Sequence, residues 1–280
     1  LWPAGGSGEG AGAIVPILDE DFSLGMRPGN KGFWLCLTSD AEARAEGAPT
    51  SFEAELTPWW GPPSTLTYRN NVYGFDMGYD ILRLQGTKLK LKVDGEEFEG
   101  TAYFQKVSVQ APSFPWFWGM LHFDDGSYID WFKPHAAPGM TSMDDRPWRR
   151  RDFLRAPAIG TGIFHDANRG RTENFKRCEV EVSEPDGEEP LRDEQGNALP
   201  KFRIRIWNGR TQVSIDVRAC SRARWTFDQP TRAGMVSHLT YNEYPLEVER
   251  IAILDEQGLR TIDDYEWIMG NAEHTWGVLH

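Results

Sequence analysis

One aromatic stretch concentrates the side chains that could do chemistry. FPWFWGMLHFDDGSYIDWF, residues 114–132, sets His122 and Asp130 among three tryptophans and four phenylalanines. A polar side chain among apolar neighbours is strongly unfavourable unless it is paired or bound. The stretch therefore predicts either the central hairpin of a packed β core or the wall of a pocket for a large apolar molecule.

Strand alternation divides this stretch into two faces, and both are largely apolar. Trp116, Trp118 and His122 share one face, because successive side chains of a strand point to opposite sides. Tyr128 and Asp130 share a face of the returning strand. We expect the hairpin to be buried on both sides or to line a cavity on one. In the second case the two tryptophans and Tyr128 bind substrate, and His122 and Asp130 are catalytic candidates.

Two later segments, HLTYNEY and DDYEWIMGNAEHTW, combine acids with aromatic rings. An acid held in an apolar site can protonate an alkene, and aromatic faces stabilise the cation that forms. Glu243 is the best single candidate acid, since alternation places it beside Tyr241 on a mostly apolar face. His274 and Trp276 are further candidates for substrate contact. For each segment, the alternative is a charged rim of a surface strand.

Composition and charge exclude several classes of partner. A net charge of −12 argues against nucleic acid, which requires a basic surface. The basic run RPWRRRDFLR is a local exception that fits a connector. No apolar run reaches the ~20 residues that span a bilayer. The expected location is the cytoplasm, although the start at Leu1 leaves a removed signal peptide open.

Motifs for metals, cofactors and nucleophilic hydrolysis are missing from the sequence. There is no His-Glu-x-x-His, and Cys36, Cys178 and Cys220 form no Cys-x-x-Cys pair. No Gly-x-Ser-x-Gly elbow occurs either. The sequence therefore predicts three free, mostly buried cysteines and no metal site.

Alternation with a period of two dominates the chain and predicts an antiparallel all-β fold. Asp94-Gly95, Asp125-Gly126 and Asn208-Gly209 stand where tight hairpin turns are expected. Helical periodicity is confined to a short segment at 39–48, so fewer than about a fifth of the residues should be helical. Strands this numerous favour a sandwich or a barrel, and a barrel of about eight strands can hold a small ligand.

Glycine-rich, arginine-rich and turn-forming segments along the chain predict three regions. The glycine-rich start has no preceding strand, so residues 1–15 are expected to be a flexible tail rather than a phosphate loop. An N-terminal β domain over 16–145 and a C-terminal β barrel over 146–280 follow. The arginine-rich segment at 144–160 is the expected seam, and 183–200 is expected to be a long exposed loop.

The core of the sequence resembles a known family. GTAYFQKVSVQAPSFPWFWGMLHFDDGSYIDWF is similar to the carotenoid hydratase (hydroxyneurosporene synthase) group, with a glycine and aromatic, a polar pair, a tryptophan-rich strand and an Asp-Gly hairpin. Tocopherol cyclases and lipocalin-like fungal Diels–Alderases are more distantly similar. The resemblance covers residues 82–132, with a weaker match in GNAEHTWGVL near the end. It does not extend to the N-terminal third.

This resemblance implies two tandem lipocalin-like antiparallel β-barrels, packed end to face, with an apolar pocket in or between them. It implies an enzyme that uses no cofactor and promotes hydration, isomerisation or cyclisation, including cycloaddition, of an isoprenoid or polyketide. The residues it carries over are Gln105, Lys106, Trp116, Trp118 and Asp130.

Three functions follow, and the first is preferred. The first hypothesis is a lyase or isomerase that acts on a large hydrophobic substrate. The second is a protein that carries an apolar ligand without changing it. The third reading is a carbohydrate-binding β sandwich, in which TPWWGPP (Thr57 to Pro63) presents tryptophans for stacking on sugars. A buried carboxylate beside apolar groups favours the first reading, and coplanar surface tryptophans favour the third. Substrate, stereochemistry and oligomeric state are left open.

Overall fold

The structure is a computed structural model, and the protein is built almost entirely from antiparallel strands. Within the part of the chain that the structure describes, helix is limited to α1 (Ala41–Ala45) and a 3₁₀ turn at Ile262–Asp264. The all-β prediction and the short helix near residue 40 are confirmed. No helix among these residues is long and apolar enough to cross a membrane. The structure describes residues 17–18, 21–26, 32–45, 47, 49–59, 67–74, 77–109, 115–134, 160–183, 191–230 and 236–279.

A first sheet occupies the N-terminal part of the chain and has the order β1-β2-β3-β4-β6-β5, with β7 paired to β6. Its core is small and contains Phe33, Ala54, Leu56 and Leu84. The turn between its last two strands has positive φ at both Asp94 (50°) and Gly95 (91°), as a tight hairpin turn requires. The strands are β1 (Ile17–Leu18), β2 (Phe22–Met26), β3 (Phe33–Thr38), β4 (Ser51–Pro58), β5 (Thr67–Gly74), β6 (Met77–Val93) and β7 (Glu96–Val109).

A second, larger sheet contains the aromatic stretch and forms a near-closed antiparallel barrel. Its order is β11-β10-β9-β8-β18-β16-β14-β13-β12, and β15 and β17 pair with the long strand β16. The strands are β8 (Trp116–Phe123), β9 (Tyr128–Pro134), β10 (Thr161–Asp166), β11 (Arg171–Phe175), β12 (Arg177–Ser183), β13 (Lys201–Trp207), β14 (Gln212–Ala219), β15 (Ala223–Pro230), β16 (Val236–Asp255), β17 (Gly258–Thr261) and β18 (Ile268–Leu279).

Two glycines allow this sheet to close on itself. A Cβ added at Gly160 would lie 2.8 Å from the Cβ of Cys178, and one at Gly162 would lie 2.9 Å from Ile206. Any larger residue would hold β10 away from β12 and β13. The enclosed core is rich in branched aliphatic residues, among them Ile204, and is lined on one side by the β8–β9 hairpin.

The chain divides into two compact units at places other than the predicted boundary after residue 145. One unit is 1–72 with 79–108, and the other is 73–78 with 109–280. The physical reason is strand pairing: β8 pairs with β18 and β9 pairs with β10, so the aromatic hairpin belongs with the C-terminal strands. The predicted tail at 1–15 and almost all of the predicted seam at 144–160 lie outside the described residues.

Three local predictions need adjustment. The Asn208-Gly209 hairpin exists, but its loop has four residues because Trp207 pairs with Gln212, and the Asn208 side chain accepts from the backbone N–H of Thr211. The cysteines are free, yet only Cys178 is buried and Cys220 is exposed. In the predicted loop at 183–200, Leu199 is buried in the core and a β-bridge joins Arg192 to Ala198. Residues 194–197 are exposed as expected, so only the end of the region, at Leu199 and Pro200, is packed.

Candidate functional site

The β8–β9 hairpin is buried on both faces, which is the first of the two alternatives that alternation leaves open. Phe117, Leu121 and Trp131 point into the barrel core. On the other face Trp118 is only 1% exposed, and Met120 pairs with Asp130. The tryptophans of the hairpin therefore lie on both faces, because Trp131 points inward and Trp118 points away from the core.

Strand register places two carboxylates side by side on the face opposite the barrel core. Glu243 of β16 is the direct partner of Glu273 of β18, which in turn is the direct partner of Trp118 of β8. Direct cross-strand partners share a face and have Cβ atoms about 4.5–5.5 Å apart. This surface, made of Trp116, Trp118, Tyr241, Glu243 and Glu273, is called the Glu243 face below.

Hydrogen bonds fix both carboxylates. The indole Nε1 of Trp116 donates to Oε2 of Glu273 at 2.8 Å, and Nδ2 of Asn271 donates to Oε1 of Glu243 at 2.6 Å. Glu273 is only 7% exposed, whereas Glu243 is half-buried. The Trp116 backbone is itself held, because its N–H donates to Oγ1 of Thr275 at 2.7 Å. The two acids therefore stand in fixed positions rather than as mobile surface charges.

A row of aromatic rings runs beside the acids. The ring of Trp225 on β15 stacks on Tyr241 with centroids 4.2 Å apart, and Trp116 meets Tyr241 edge-on at 5.9 Å. Trp225 is 46% exposed, so the row leads from the surface to the carboxylates. The stacked pair offers flat apolar area with ring faces that attract positive charge.

The remaining candidates of the hairpin lie together but farther along the same sheet face. His122 pairs with Tyr128 across the hairpin, and its Nε2 is 3.2 Å from the sulfur of Met120. Tyr128 stacks on His165 at 5.4 Å. Burial lowers the pKa of His165, partly offset by the negative charges of Asp166 and Asp125.

His274 and Trp276 do not share the Glu243 face. They alternate with Glu273 and Thr275 along β18 and point into the barrel, where His274 stacks on Phe117 with centroids 4.3 Å apart. Neither ring can contact a substrate that lies on the Glu243 face. The sequence prediction grouped them with the acids because it ignored this alternation.

The two residues carried over from the family resemblance in the N-terminal part belong to the other unit. Gln105 accepts a hydrogen bond from Nε of Arg83 at 2.7 Å, inside the first sheet. Lys106 lies on β7, and its side chain is outside the described part. Trp59, from the predicted sugar-binding loop, packs across Gly86: a Cβ there would be 2.2 Å from its ring.

Sequence reasoning did not single out Glu273, Asn271 or Trp225 as site residues. Glu273 appeared only within an acidic segment, and Trp225 only within a predicted strand. Alternation along each strand indicates which side chains share a face of that strand. It does not reveal that β16 pairs with β15 and β18. No group of His, Cys, Asp and Glu residues suited to a metal ion occurs in the described ranges.

No protein-family model and no curated protein matches the sequence. Among solved structures, a provisionally assigned AttH from Nitrosomonas europaea is similar at 13% identity and a TM-score of 0.50, over 94% of this chain and 70% of that one. Kievitone hydratase from Nectria haematococca is similar at 12% identity and a TM-score of 0.48, again over 94% and 70% of the two chains. Likenesses at this identity bear on the fold alone. The first likeness agrees with the antiparallel β-barrel fold described above.

Proposed function

We propose that the protein is an enzyme that binds a large hydrophobic molecule of isoprenoid or polyketide type and promotes its hydration, isomerisation or cyclisation by acid–base catalysis. The observation that carries the proposal is the Glu243–Glu273 pair beside the aromatic row. Two adjacent carboxylates repel each other when both are ionised, and a single proton shared between them relieves that repulsion. Such a pair holds one acid and one base next to each other.

The chemistry follows from this pair. The protonated carboxyl group donates its proton to one carbon of a substrate alkene, whose π electrons form the new C–H bond and leave a cation on the neighbouring carbon. Rings such as Tyr241 and Trp116 stabilise that cation. Addition of water followed by loss of a proton gives hydration, and loss of a neighbouring proton gives isomerisation. Attack by a second alkene moves the cation to a new carbon, and loss of a proton from there completes cyclisation. The second carboxylate accepts the released proton.

Among the sequence candidates, the geometry favours Glu243 and Tyr241, supported by Trp116 and Trp118, over His122 and Asp130. The hairpin pair is buried beside Met120 and lies away from the exposed ring of Trp225, where a substrate can approach. Asp130 and His122 therefore become second choices for the acid.

Native mass spectrometry of gently purified protein tests the proposal. We expect an apolar molecule to co-purify and, after incubation with fresh protein, to yield a product that has gained one water or has the same mass and a different chromatographic retention. A ligand that is returned unchanged would make the protein a carrier. A bound oligosaccharide would support the carbohydrate-binding alternative instead.

A further inference from the structure

The barrel interior of the second unit contains a polar cluster that the Glu243 face does not use. It lies on the opposite side of β16 and β18, since Asn242 and Tyr244 alternate with Glu243, and His274 and Trp276 alternate with Glu273. Tyr244 is 0% exposed and Trp276 is 1% exposed. Polar atoms at such depth need partners.

Arg222 anchors this cluster. Its side chain is 3% exposed, and its Nη1 donates to Oδ2 of Asp193 at 2.9 Å. Its Nε donates to Oδ1 of Asn242 at 2.7 Å, and Nδ2 of Asn242 donates to the backbone carbonyl of His274 at 2.9 Å. The guanidinium group is therefore held in place, and its charge is balanced by Asp193.

Three hydrogen-bonding groups of the cluster have no hydrogen-bond partner in the part of the chain that the structure describes. They are Nη2 of Arg222, Nε1 of Trp276 and the hydroxyl of Tyr244. A buried donor without an acceptor is strongly unfavourable, because it has lost its hydrogen bonds to water. All three groups can donate to an oxygen atom that none of the described residues supplies.

The three groups belong to one continuous set of contacts. The guanidinium carbon of Arg222 lies 5.6 Å from the centre of the Trp276 ring, which meets His274 edge-on at 5.1 Å. The ring of Phe202 lies within 6.5 Å of His274 and 5.6 Å of Tyr244. Burial raises the pKa of the Tyr244 hydroxyl, and the charges of Arg222 and Asp193 also act on it, which places it in the same region.

We propose that this end of the barrel is a second binding site, for a small neutral aromatic molecule with a carbonyl oxygen. The unused donors match an acceptor oxygen, and the rings of Phe117 and Phe202 match an aromatic body. The Arg222–Asp193 pair is already neutral, so an anion gains little. The site is independent of the acid–base chemistry proposed for the Glu243 face.

Indole N–H signals in NMR spectra of the ¹⁵N-labelled full chain test this site. Trp276→Phe assigns the Trp276 signal, and acetophenone is the probe. Ethylbenzene has nearly the same shape without the acceptor oxygen, and benzoate adds a charge. We expect acetophenone to shift the Trp276 signal downfield in a saturable way and to bind at least about 10-fold more tightly than either comparison compound, the effect of one hydrogen bond in a buried site.

Tyr244→Phe separates this site from a general effect on the fold. The variant keeps the ring and removes a hydroxyl that bonds to none of the described residues, so it should fold normally while binding acetophenone about 5- to 10-fold more weakly. Tyr265→Phe removes a comparable buried hydroxyl beside Phe123 and should bind like the wild type. If acetophenone leaves the Trp276 signal unmoved, or if Tyr244→Phe binds it normally, the donors serve only internal water and the proposal is wrong.

Discussion

At the scale of single residues, the distinguishing feature is how the two carboxylates are held. Glu273 is nearly buried and accepts from an indole, while Glu243 is half-buried and accepts from an amide. Hydrogen bonds to a charged acceptor are roughly twice as strong as bonds between neutral groups. Different surroundings for two neighbouring acids are what separate a proton donor from a proton acceptor.

Trp116→Phe should therefore destabilise the protein through the lost bond to Glu273. We expect the free energy of unfolding to fall by about 1.5–3 kcal/mol, the usual contribution of a hydrogen bond to a charged group. Urea denaturation measures it. Trp225→Phe is the matched control, because that ring is almost half exposed and should change stability by less than about 0.5 kcal/mol. An equal loss of stability in both variants would show that the hydrogen bond from Trp116 to Glu273 does not stabilise the protein.

The site residues themselves show what could be read from the sequence. Alternation correctly places Trp118 and His122 on the face opposite Phe117, and it places Glu243 beside Tyr241. Alternation cannot show that β16 lies next to β18, because the paired residues are about 30 positions apart in the sequence. The sequence therefore did not predict the carboxylate pair, although both acids lie in segments that were singled out for their acids and aromatic rings.

At the scale of elements, close approach between strands and rings shapes the aromatic hairpin. The ring of Trp131 on β9 packs against Gly119 of β8, and the backbone of β18 at Gly270 packs against the backbone of Met120. Both contacts require glycine because a side chain would occupy the same space. These contacts hold β8 tightly between β9 and β18, and β8 supplies Trp116 and Trp118.

Gly119→Ala should disturb this arrangement. The added Cβ would lie 2.1 Å from the Trp131 ring, so the ring must move, and overpacking of this kind typically costs 1–3 kcal/mol. Gly100→Ala is the control, since a Cβ at that strand position meets nothing within 4 Å and its φ is not positive. A melting temperature that falls equally in both variants would show that the ring contact is unimportant.

At the scale of the molecule, an ionic cluster ties together distant strands of the second unit. Arg260 of β17 donates to Asp166 of β10 at 2.8 Å and to Asp255 of β16 at 2.9 Å, and Arg169 also donates to Asp255 at 2.7 Å. The guanidinium of Arg260 covers the ring of Phe164 at 5.2 Å. Since β10 and β16 are not neighbours in the sheet, the cluster helps to close the barrel.

The pH dependence of stability should report this cluster. Burial alone would raise the pKa of Asp255, but the backbone N–H of Gln257 and the two guanidinium groups together lower it below its usual value of 3.8. A carboxyl group with a lowered pKa stabilises the fold above its unfolded value and loses that effect as the pH falls through the folded value.

Asp255→Asn should therefore be less stable than the wild type at pH 7, and the difference should shrink below about pH 3.8. Urea denaturation at several pH values measures the difference. The exposed Asp263, mutated to Asn, should show none. A difference that stays constant down to acidic pH would mean that the charge of Asp255 does not stabilise the fold.

The domain organisation was the least predictable level. Turn residues correctly predicted hairpins such as the one at Asp94-Gly95. The arginine-rich segment was predicted to separate two domains, but the aromatic hairpin that precedes it pairs with the C-terminal strands. A polar composition indicates a connector, whereas strand pairing decides to which compact unit a segment belongs. Composition and strand pairing give the same boundary only when strands that are neighbours in the sequence are also neighbours in the sheet.

Carbon-bound deuterium uptake measures the central claim, that the Glu243–Glu273 pair protonates an apolar substrate, most directly. The full chain is incubated in D₂O with geranylgeraniol and with any co-purified ligand, and the recovered molecules are analysed by mass spectrometry. Wild type should add deuterium to carbon. Glu243→Gln and Glu273→Gln should each do so at least ~100-fold more slowly, the usual scale of general acid–base catalysis. The exposed Glu247 on the same strand, mutated to Gln, should leave the rate unchanged. Undiminished uptake in both carboxylate variants, or no uptake by the wild type, would contradict the account.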